Sequence, residues 1–297
     1  MKKKKKMSIK NKEARSGLLF VSPWIFGFIV FTLYPILSSL YYSLCEYRVT
    51  KPPVFIGLEN YRMLFQDPIF LKALSNTLYL VIFGAPIVTI LAISIAIMSQ
   101  NKKLKHTGVF RIMFFIPTLV PTIVASLVWI WVMQPDTGIV NRLLGYIGIS
   151  GPGWLSSIFW SKPAFIMLML WTCGNAIIIY LAGLQDIPDS LYESASLDGA
   201  GFIKQTTSIT IPLLRSTILY NGVTLVIGIF QWFAEPYIMT NGGPDNSTML
   251  YSLYLYQNAF TFFKMGYASA MGWILLLIGL AIVLVLFKVF KFGESEY

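Results

Sequence analysis

Long apolar runs alternate with short polar segments along the whole chain. A helix needs about 20 mostly apolar residues to cross the hydrocarbon core of a bilayer. Six runs of that size predict transmembrane helices at about residues 16–45, 73–101, 112–135, 163–185, 213–240 and 265–290. The pattern therefore predicts an all-α integral membrane protein with about six spans.

Two other uncharged runs are interpreted as segments beside the membrane. Leu143–Ser161 is interrupted by a Gly-Pro-Gly sequence, and the unsatisfied backbone at such a break does not face lipid. Asn246–Phe263 mixes amides and hydroxyls with tyrosines, a composition typical of an interfacial helix. Seven spans remain the main alternative to this count.

The composition supports lipid as the main solvent. Only 12% of the residues are charged, whereas soluble domains have about 25%. A net charge of +10 would suit a nucleic-acid-binding protein, but the chain has too few charged residues to cover a solvated basic face. Aromatic residues at 15% exclude a disordered chain. We therefore expect a protein that contacts lipid and no nucleic acid.

Basic residues set the expected orientation, because Lys and Arg collect on the cytoplasmic side. With both termini inside, the cytoplasmic segments hold 16 of the 23 Lys and Arg residues. Residues 1–15 then form a basic cytoplasmic N-terminus, 16–291 the transmembrane domain and 292–297 a cytoplasmic tail. The first apolar run is too long for a cleaved signal peptide and lacks alanine after Ala14, so we expect it to remain attached.

The chain has few residues of the types that bind metals, form disulfides or catalyse reactions. Cys45 and Cys173 lie about 130 positions apart in apolar sequence, and His106 is the only histidine. These residues predict no metal site and no disulfide framework. No lysine is followed by Ser or Thr, so the phosphate-binding loop of ATPases is absent. We therefore expect no cofactor in this chain, no catalytic residue and no enzymatic activity.

The loop between the fourth and fifth spans, residues 186–212, differs from the others because it is acidic. Its pattern predicts two short helices with a sharp elbow. Pro188 suits a first helical turn, and the charge of Asp189 complements the helix dipole. Asp198-Gly199 is expected to end the first helix, where a left-handed residue is needed.

Within this loop, Glu193–Ala195 is followed after three residues by Gly199, after nine more by Ile209, and then by Ile211-Pro212. The spacing resembles the EAA loop of ABC-importer permease subunits, written EAA-x3-G-x9-I-x-LP. Ser194 replaces an alanine and Ile211 a leucine, both small changes. The alternative is an ordinary acidic loop, which would have a glutamate, a glycine and a proline at these fixed spacings only by chance.

Other motifs are similar to the carbohydrate-uptake permeases of the maltose and glycerol-3-phosphate type, and resemble the MalF-like partner of a heterodimeric pair. They are Phe55–Tyr61, Phe115–Pro117, Thr240–Pro244 and Pro23–Tyr42 with its Tyr34-Pro35 kink. The resemblance extends from about residue 17 to the C-terminus. It implies a multi-pass subunit of a bacterial-type cytoplasmic membrane.

The resemblance also implies partners and a mechanism. The partners are a second permease subunit, two copies of an ATP-binding subunit and an extracytoplasmic solute-binding protein. The EAA loop would transmit closure of the ATPase subunits to the helix bundle. Residues expected to couple to the ATPase are Glu193, Ser194, Ala195, Asp198, Gly199, Ala200, Ile209 and Pro212.

The fifth span has polar residues at helical spacing. Asn221, Thr224, Gly228, Gln231 and Glu235 are spaced by 3, 4, 3 and 4 positions and are expected to share one face. Amides and hydroxyls there, with Trp232 beside them, would suit the hydroxyls and apolar face of a sugar. Hydrogen bonding between helices explains the same pattern equally well.

The sequence therefore favours a permease of an ATP-driven sugar or oligosaccharide importer. An importer of glycerol-3-phosphate or another small polar solute is the alternative within the class. An ion-coupled carrier is a weaker alternative, because Glu235 is the only charged residue closely flanked by apolar sequence. Gly266 with Ala270 and Ala268 with Gly272 predict close helix packing in the sixth span.

Overall fold

The computed structural model of the chain describes residues 9–100 and 107–289. The predicted cytoplasmic tail, residues 292–297, and the lysines at the start of the predicted basic N-terminus lie outside these residues. The chain divides into two compact units. One comprises the described residues of Met1–Met63 and Asn258–Trp273, and the other those of Leu64–Gln257 and Ile274–Tyr297.

The described residues are mostly helical. The helices are α1 (Ile9–Phe28), α2 (Tyr34–Ser43), α3 (Glu59–Gln66), α4 (Pro68–Tyr79), α5 (Ala85–Gln100), α6 (Thr107–Phe115), α7 (Thr122–Val132), α8 (Ile139–Tyr146), α9 (Ser161–Trp171), α10 (Gly174–Gln185), α11 (Asp189–Leu197), α12 (Phe202–Gln205), α13 (Ile211–Leu213), α14 (Arg215–Phe230), α15 (Ala234–Met239), α16 (Tyr251–Tyr256) and α17 (Met265–Val289). Short π-helical turns at Ile29–Leu33, Leu80–Gly84, Thr206–Thr210 and Gln257–Thr261 and a 3-10 turn at Ile116–Leu119 connect several of them.

Within residues 9–100 and 107–289, four helical segments are long and apolar enough to span a membrane: Ser16–Ser43, Pro68–Gln100, Arg215–Met239 and Met265–Val289. Two bent pairs, Gly108–Leu119 with Thr122–Val132 and Ser161–Trp171 with Gly174–Gln185, raise the number to six if each pair is one span. The protein is thus a predominantly helical, multi-pass membrane protein.

The first bent pair turns by 102° between α6 and α7. Pro117 and Pro121 lie at the break, and each lacks the N–H that an α-helical hydrogen bond needs. Val120 precedes Pro121 and has an extended ψ of 125°, as the proline ring requires. The two prolines therefore explain the sharp turn.

The second bent pair turns by 49° between α9 and α10. A Cβ atom on Gly174, the first residue of α10, would lie only 2.4 Å from the carbonyl oxygen of Phe114. The glycine therefore lets α10 cross the backbone of α6 at close range. Thr172 occupies the break and donates its hydroxyl to the carbonyl of Leu168 at 3.1 Å.

The helix that includes α4 and α5 begins at Pro68, before the start predicted at residue 73. The Asp67 carboxylate caps it by accepting from the backbone N–H groups of Ile69 at 2.8 Å and Phe70 at 3.3 Å. A proline at the first helical position follows this cap. Lys72 lies inside the first turns of this helix, so a charge-free run begins only after it.

The first unit contains a β-hairpin that the all-α prediction missed. Strands β1 (Cys45–Arg48) and β2 (Lys51–Phe55) pair in antiparallel register, with Cys45 opposite Phe55. The Asn60 side chain donates to the carbonyls of Ser43 at 2.9 Å and Cys45 at 2.8 Å. These bonds fix the end of α2 against the start of the hairpin.

Small residues pack closely at the start of α17, as the sequence predicted for one of the two pairs. A Cβ atom on Gly266 would lie 2.1 Å from the carbonyl oxygen of Cys45, and Ala270 is fully buried. A Cβ atom on Gly272 would meet nothing within 4 Å. Close packing within the chain is therefore confirmed for Gly266, whereas Gly272 has no close neighbour within the described residues.

The run Asn246–Phe263, which its composition predicts to be an interfacial helix, contains α16, and α16 packs against α4. In the second unit, Tyr251 and Leu253 of α16 are fully buried. The backbone N–H of Tyr251 donates to the Thr77 hydroxyl at 2.9 Å, and the Tyr254 hydroxyl donates to the Asp67 carboxylate at 2.5 Å. Tyrosines of this run thus bind α4 and the Asp67 carboxylate that caps it.

Candidate functional site

The acidic loop folds into two short helical arms. Helix α11 begins after Pro188, whose ψ of 130° is extended, so the proline precedes the first turn that the sequence assigned to it. The second arm continues from α12 through the π-helical turn Thr206–Thr210 to α13. Pro212 lies in α13, shortly before α14 begins. An elbow at Gly199 separates the arms.

The elbow has the geometry that the sequence predicts for a helix end. Gly199 is left-handed, with φ of +81°, a conformation that strains any residue with a Cβ atom. Its N–H donates to the Ser196 carbonyl at 3.1 Å, and the N–H of Ala200 donates to the Ala195 carbonyl at 2.8 Å. These two bonds form a Schellman motif, which satisfies the last carbonyls of α11.

Side chains tie the two arms together. The Gln205 amide donates to the Ser196 hydroxyl and to the Ala200 carbonyl, each at 2.9 Å. The hydroxyls of Tyr192 and Thr210 form a further bond at 3.0 Å. At the base of the loop, the Gln100 amide donates to the Leu184 carbonyl at 3.1 Å. The arms are therefore held in one arrangement.

An apolar tip projects from the elbow, which we define as Leu197, Phe202 and Ile203. These side chains are 89%, 69% and 77% exposed. Three large apolar side chains so close together and so exposed indicate a surface that another molecule covers. A Cβ atom on Gly199 would meet nothing within 4 Å, so its surroundings in this chain are open.

The remaining predicted coupling residues surround this tip. Glu193, Ser194 and Asp198 are exposed, Ala195 and Ala200 are half-buried, and along the second arm Ile209 is half-buried and Pro212 exposed. Neither Glu193 nor Asp198 has an ion pair among the described residues. Both side chains are exposed and therefore accessible to a partner.

A separate cavity of about 320 Å³ lies in the second unit between α10 and α14. Four of the five predicted substrate-path residues line it: Asn221, Thr224, Trp232 and Glu235. Gly228 lines it as well, as the helical spacing predicted. The Trp232 ring packs edge-on against the Phe165 ring, with centroids 5.4 Å apart.

Gln231 is the exception among the predicted residues, because it is exposed and does not line this cavity. Helix α14 ends at Phe230 and α15 begins at Ala234. Pro236 explains the break, since it cannot donate to the carbonyl four residues earlier and its ring crowds that carbonyl. The spacing argument assumed an unbroken helix, and its geometry fails at Gln231.

The cavity also includes residues that the sequence argument did not select. Thr89 of α5 and Asn175 and Tyr180 of α10 contribute polar groups to its walls. Tyr180 is fully buried. From the sequence, a tyrosine in an apolar span normally indicates packing. Tyr180 is recognised as a residue of the cavity wall only because the structure places α5 and α10 beside α14.

Comparison with known proteins assigns the chain to a transport family. Residues 69–292 match the family described as binding-protein-dependent transport system inner membrane component. The probable ABC transporter permease protein YesP of Bacillus subtilis (strain 168) is 38% identical over 295 residues, covering 96% of this chain and 93% of that protein. The lactose transport system permease protein LacF of Rhizobium radiobacter is 39% identical over 268 residues, covering 88% and 89%.

A solved structure has the same fold. One chain of a bacterial alginate ABC transporter, in complex with an alginate pentasaccharide-bound periplasmic protein, matches with a TM-score of 0.76 and 26% identity. The match covers 94% of this chain and 96% of that chain.

Proposed function

We propose that this chain, which belongs to the family of inner membrane components of binding-protein-dependent transport systems, is a permease subunit of an ATP-driven importer for sugars or oligosaccharides. A second permease subunit, two ATP-binding subunits and an extracytoplasmic solute-binding protein complete the proposed importer. Two similar proteins support a carbohydrate substrate: LacF is the permease protein of a lactose transport system, and the matching alginate transporter is in complex with an alginate pentasaccharide-bound periplasmic protein.

The observation that supports this function best is the elbow at Gly199 with its exposed apolar tip. A rigid pair of helical arms can transmit the movement of a bound partner as a rigid body. In the proposed importer, the tip docks on the ATPase subunit and Glu193 contributes a polar contact. Closure of the ATPase subunits then moves the arms and opens the helix bundle outward.

The proposed substrate path is the cavity between α10 and α14. Its volume of about 320 Å³ lies at the lower end of the range for small-molecule sites. Amide and hydroxyl groups on its walls can donate to and accept from sugar hydroxyls, while Trp232 presents an aromatic surface to an apolar sugar face. Gln231 lies outside this path.

The main competing functions predict different energy requirements. An importer of glycerol-3-phosphate or another polar solute would also need ATP, whereas an ion-coupled carrier would work in vesicles with a proton or sodium gradient and no ATP. Uptake that proceeds on the gradient alone would contradict the proposed function.

The test of coupling is the substitution Gly199→Val. Valine at φ of +81° costs roughly 1–3 kcal/mol of strain and disturbs the elbow. We expect uptake to fall about tenfold or more, because a strain of this size opposes the docked geometry, while ATP hydrolysis and membrane insertion persist. The measurement is solute uptake and phosphate release from the same membrane vesicles.

The matched control is Gly148→Val. Gly148 has a similar φ of +78° and equally open surroundings, but it lies in the segment after α8, away from the acidic loop. Comparable backbone strain there should leave the ratio of uptake to hydrolysis unchanged. Normal transport by Gly199→Val, or the same loss of coupling in both variants, would contradict the assignment of the loop.

A further inference from the structure

We infer that helix α8 lies in the headgroup region of the bilayer, with an apolar stripe inserted into the lipid and Arg142 bound to lipid phosphates. The stripe consists of Ile139, Leu143 and Tyr146 of α8 and of Ile147, which follows it. The sequence placed residues 143–161 only beside the membrane, and the structure adds the helix, its inserted face and its cation. The inference goes beyond the proposed transport function and does not depend on it.

Helix α8 begins where a membrane segment ends. It lies in the chain between α7 and α9, and both of these helices belong to the bent pairs that are apolar enough to span a membrane. A Cβ atom on Gly138, the residue before α8, would lie 2.6 Å from the Val132 carbonyl oxygen. The glycine therefore lets the chain fold back closely onto the end of α7.

The Asn141 side chain fixes α8 to both neighbouring segments. Its amide donates to the carbonyl of Pro135, shortly after α7, at 2.8 Å and to that of Pro152 at 3.0 Å. Its Oδ1 atom accepts from Trp154 Nε1 at 2.7 Å. The Trp154 ring packs edge-on against the ring of Trp160, the residue before α9, with centroids 5.2 Å apart. Helix α8 is thus held at the level where the chain leaves and re-enters the membrane.

One face of α8 is apolar and exposed. The side chains of the stripe are 59% to 86% exposed. Its three helical members recur after 4 and 3 positions and therefore lie on one side of the helix. Val140 and Leu144, on the neighbouring side, pack against the core instead. The stripe is therefore a second apolar face, which no part of the described chain covers.

The stripe continues an exposed apolar face of α7. Leu127, Val128 and Trp131 are exposed on α7, and lipid tails solvate such side chains in a membrane span. A groove of about 560 Å³, lined by Val128 and Trp131 of α7 and by Ile139 of α8, joins the two surfaces. Lipid that contacts α7 therefore reaches the stripe without a break.

The position of Arg142 favours a phospholipid as the molecule that covers the stripe. At about 100° per residue, Arg142 lies next to Ile139 and Tyr146, on the flank away from the core. It is exposed and has no ion pair among the described residues. A cation beside an apolar face is typical of interfacial helices, where an arginine stem contacts acyl chains while its head reaches phosphates. Trp131 and Tyr146 are aromatic types enriched at the same level.

The experiment measures the surroundings of α8 in the full chain, in nanodiscs of phosphatidylethanolamine and phosphatidylglycerol. Leu143→Cys carries a fluorophore on the stripe. The matched control is Gly145→Cys on the same helix, because position 145 is exposed, points away from the stripe and has nothing within 4 Å of its Cβ position. The unsubstituted chain measures background from Cys45 and Cys173, which are buried.

Nitroxide-bearing lipids and aqueous iodide are the two quenchers. We expect the lipids to quench the label at position 143 more strongly than the label at 145, and iodide to do the reverse. The reason is that the apolar face of an interfacial helix is buried about 5–10 Å below the headgroups.

Arg142→Glu, combined with Leu143→Cys, tests the phosphate contact. The ratio of inserted to withdrawn helix should fall roughly fivefold or more, the effect of one basic residue beside an anionic surface. Arg142→Lys keeps the charge and should leave quenching unchanged. If Arg142→Glu also leaves quenching unchanged, Arg142 does not bind lipid phosphates and that part of the inference is wrong.

Three results would overturn the insertion of the stripe. Strong iodide quenching at both positions would place α8 in water, and equally strong lipid quenching at both would place it inside the bilayer. A label at position 143 that iodide reaches until the other proposed importer subunits are added would show that the stripe binds a protein. Tyr146→Cys, on the same stripe, replaces Leu143→Cys if that variant does not fold.

Discussion

The residue at which α10 crosses α6 has no room for a side chain. A Cβ atom on Gly174 would lie 2.4 Å from the Phe114 carbonyl oxygen and 2.9 Å from the Thr118 methyl group. Gly174→Ala is therefore expected to lower the free energy of unfolding by about 1–3 kcal/mol, as overpacking does. The measurement is denaturant unfolding in detergent.

Gly222→Ala on α14 is the control, because nothing lies within 4 Å of its Cβ position. It should be neutral or should stabilise the protein by up to about 1 kcal/mol, since alanine favours a helix interior more than glycine does. Equal destabilisation by both substitutions would show that the close crossing at Gly174 has no energetic consequence.

Single residues differ in how far the sequence could reveal them. Gly199 could be predicted because a left-handed helix end is a local property of the chain, and its φ of +81° agrees. Asn221 could be placed by helical spacing. Tyr180 could not be placed from the sequence, because it lines the cavity only where α10 packs beside α14. Gln231, which the same spacing placed beside Asn221, is exposed at the end of α14 and does not line the cavity.

At the scale of elements, the Gln205 side chain makes two of the hydrogen bonds that join the arms of the acidic loop, beside the bond between Tyr192 and Thr210. The Gln205 amide joins the end of α11 to the start of the second arm through the Ser196 hydroxyl and the Ala200 carbonyl. Gln205→Ala should raise amide hydrogen exchange in α11 and α12 roughly 10- to 100-fold, because two bonds of about 1 kcal/mol each are lost. Exchange detected by mass spectrometry checks this result.

Thr207→Ala is the control for the loop. The Thr207 hydroxyl is exposed and donates only within its own turn, to the carbonyls of Ile203 and Lys204. Its removal should leave exchange in α11 unchanged. If Gln205→Ala also leaves exchange unchanged, the arms are held by other contacts, and the rigid transmission proposed for the loop loses its structural basis.

Elements were predictable where hydrophobic runs were unbroken, as for the helix Met265–Val289. They were less predictable where prolines or a helix crossing bend a span, as between α6 and α7. The β-hairpin after α2 was missed because Cys45–Phe55 is short and mixes apolar with charged residues. The Asp67 cap, in contrast, is a local signature that a search for charge-free runs overlooks.

At the scale of the whole molecule, the distribution of basic residues predicts how the chain is oriented in the membrane. With the termini inside, Asp136 lies in an outer loop and Asp186 at the base of the inner acidic loop. Both aspartates are exposed, and both native cysteines are free but buried. Asp136→Cys and Asp186→Cys are therefore a matched pair of labelling sites.

A membrane-impermeant maleimide should label Asp136→Cys in intact cells and Asp186→Cys only after the cells are permeabilised. The physical reason is that Lys and Arg resist translocation, so loops rich in them remain in the cytoplasm. The unsubstituted chain measures any background from Cys45 and Cys173. Labelling of Asp186→Cys in intact cells would place the acidic loop outside, where no ATPase subunit can reach the apolar tip, and would contradict the coupling proposal together with the orientation.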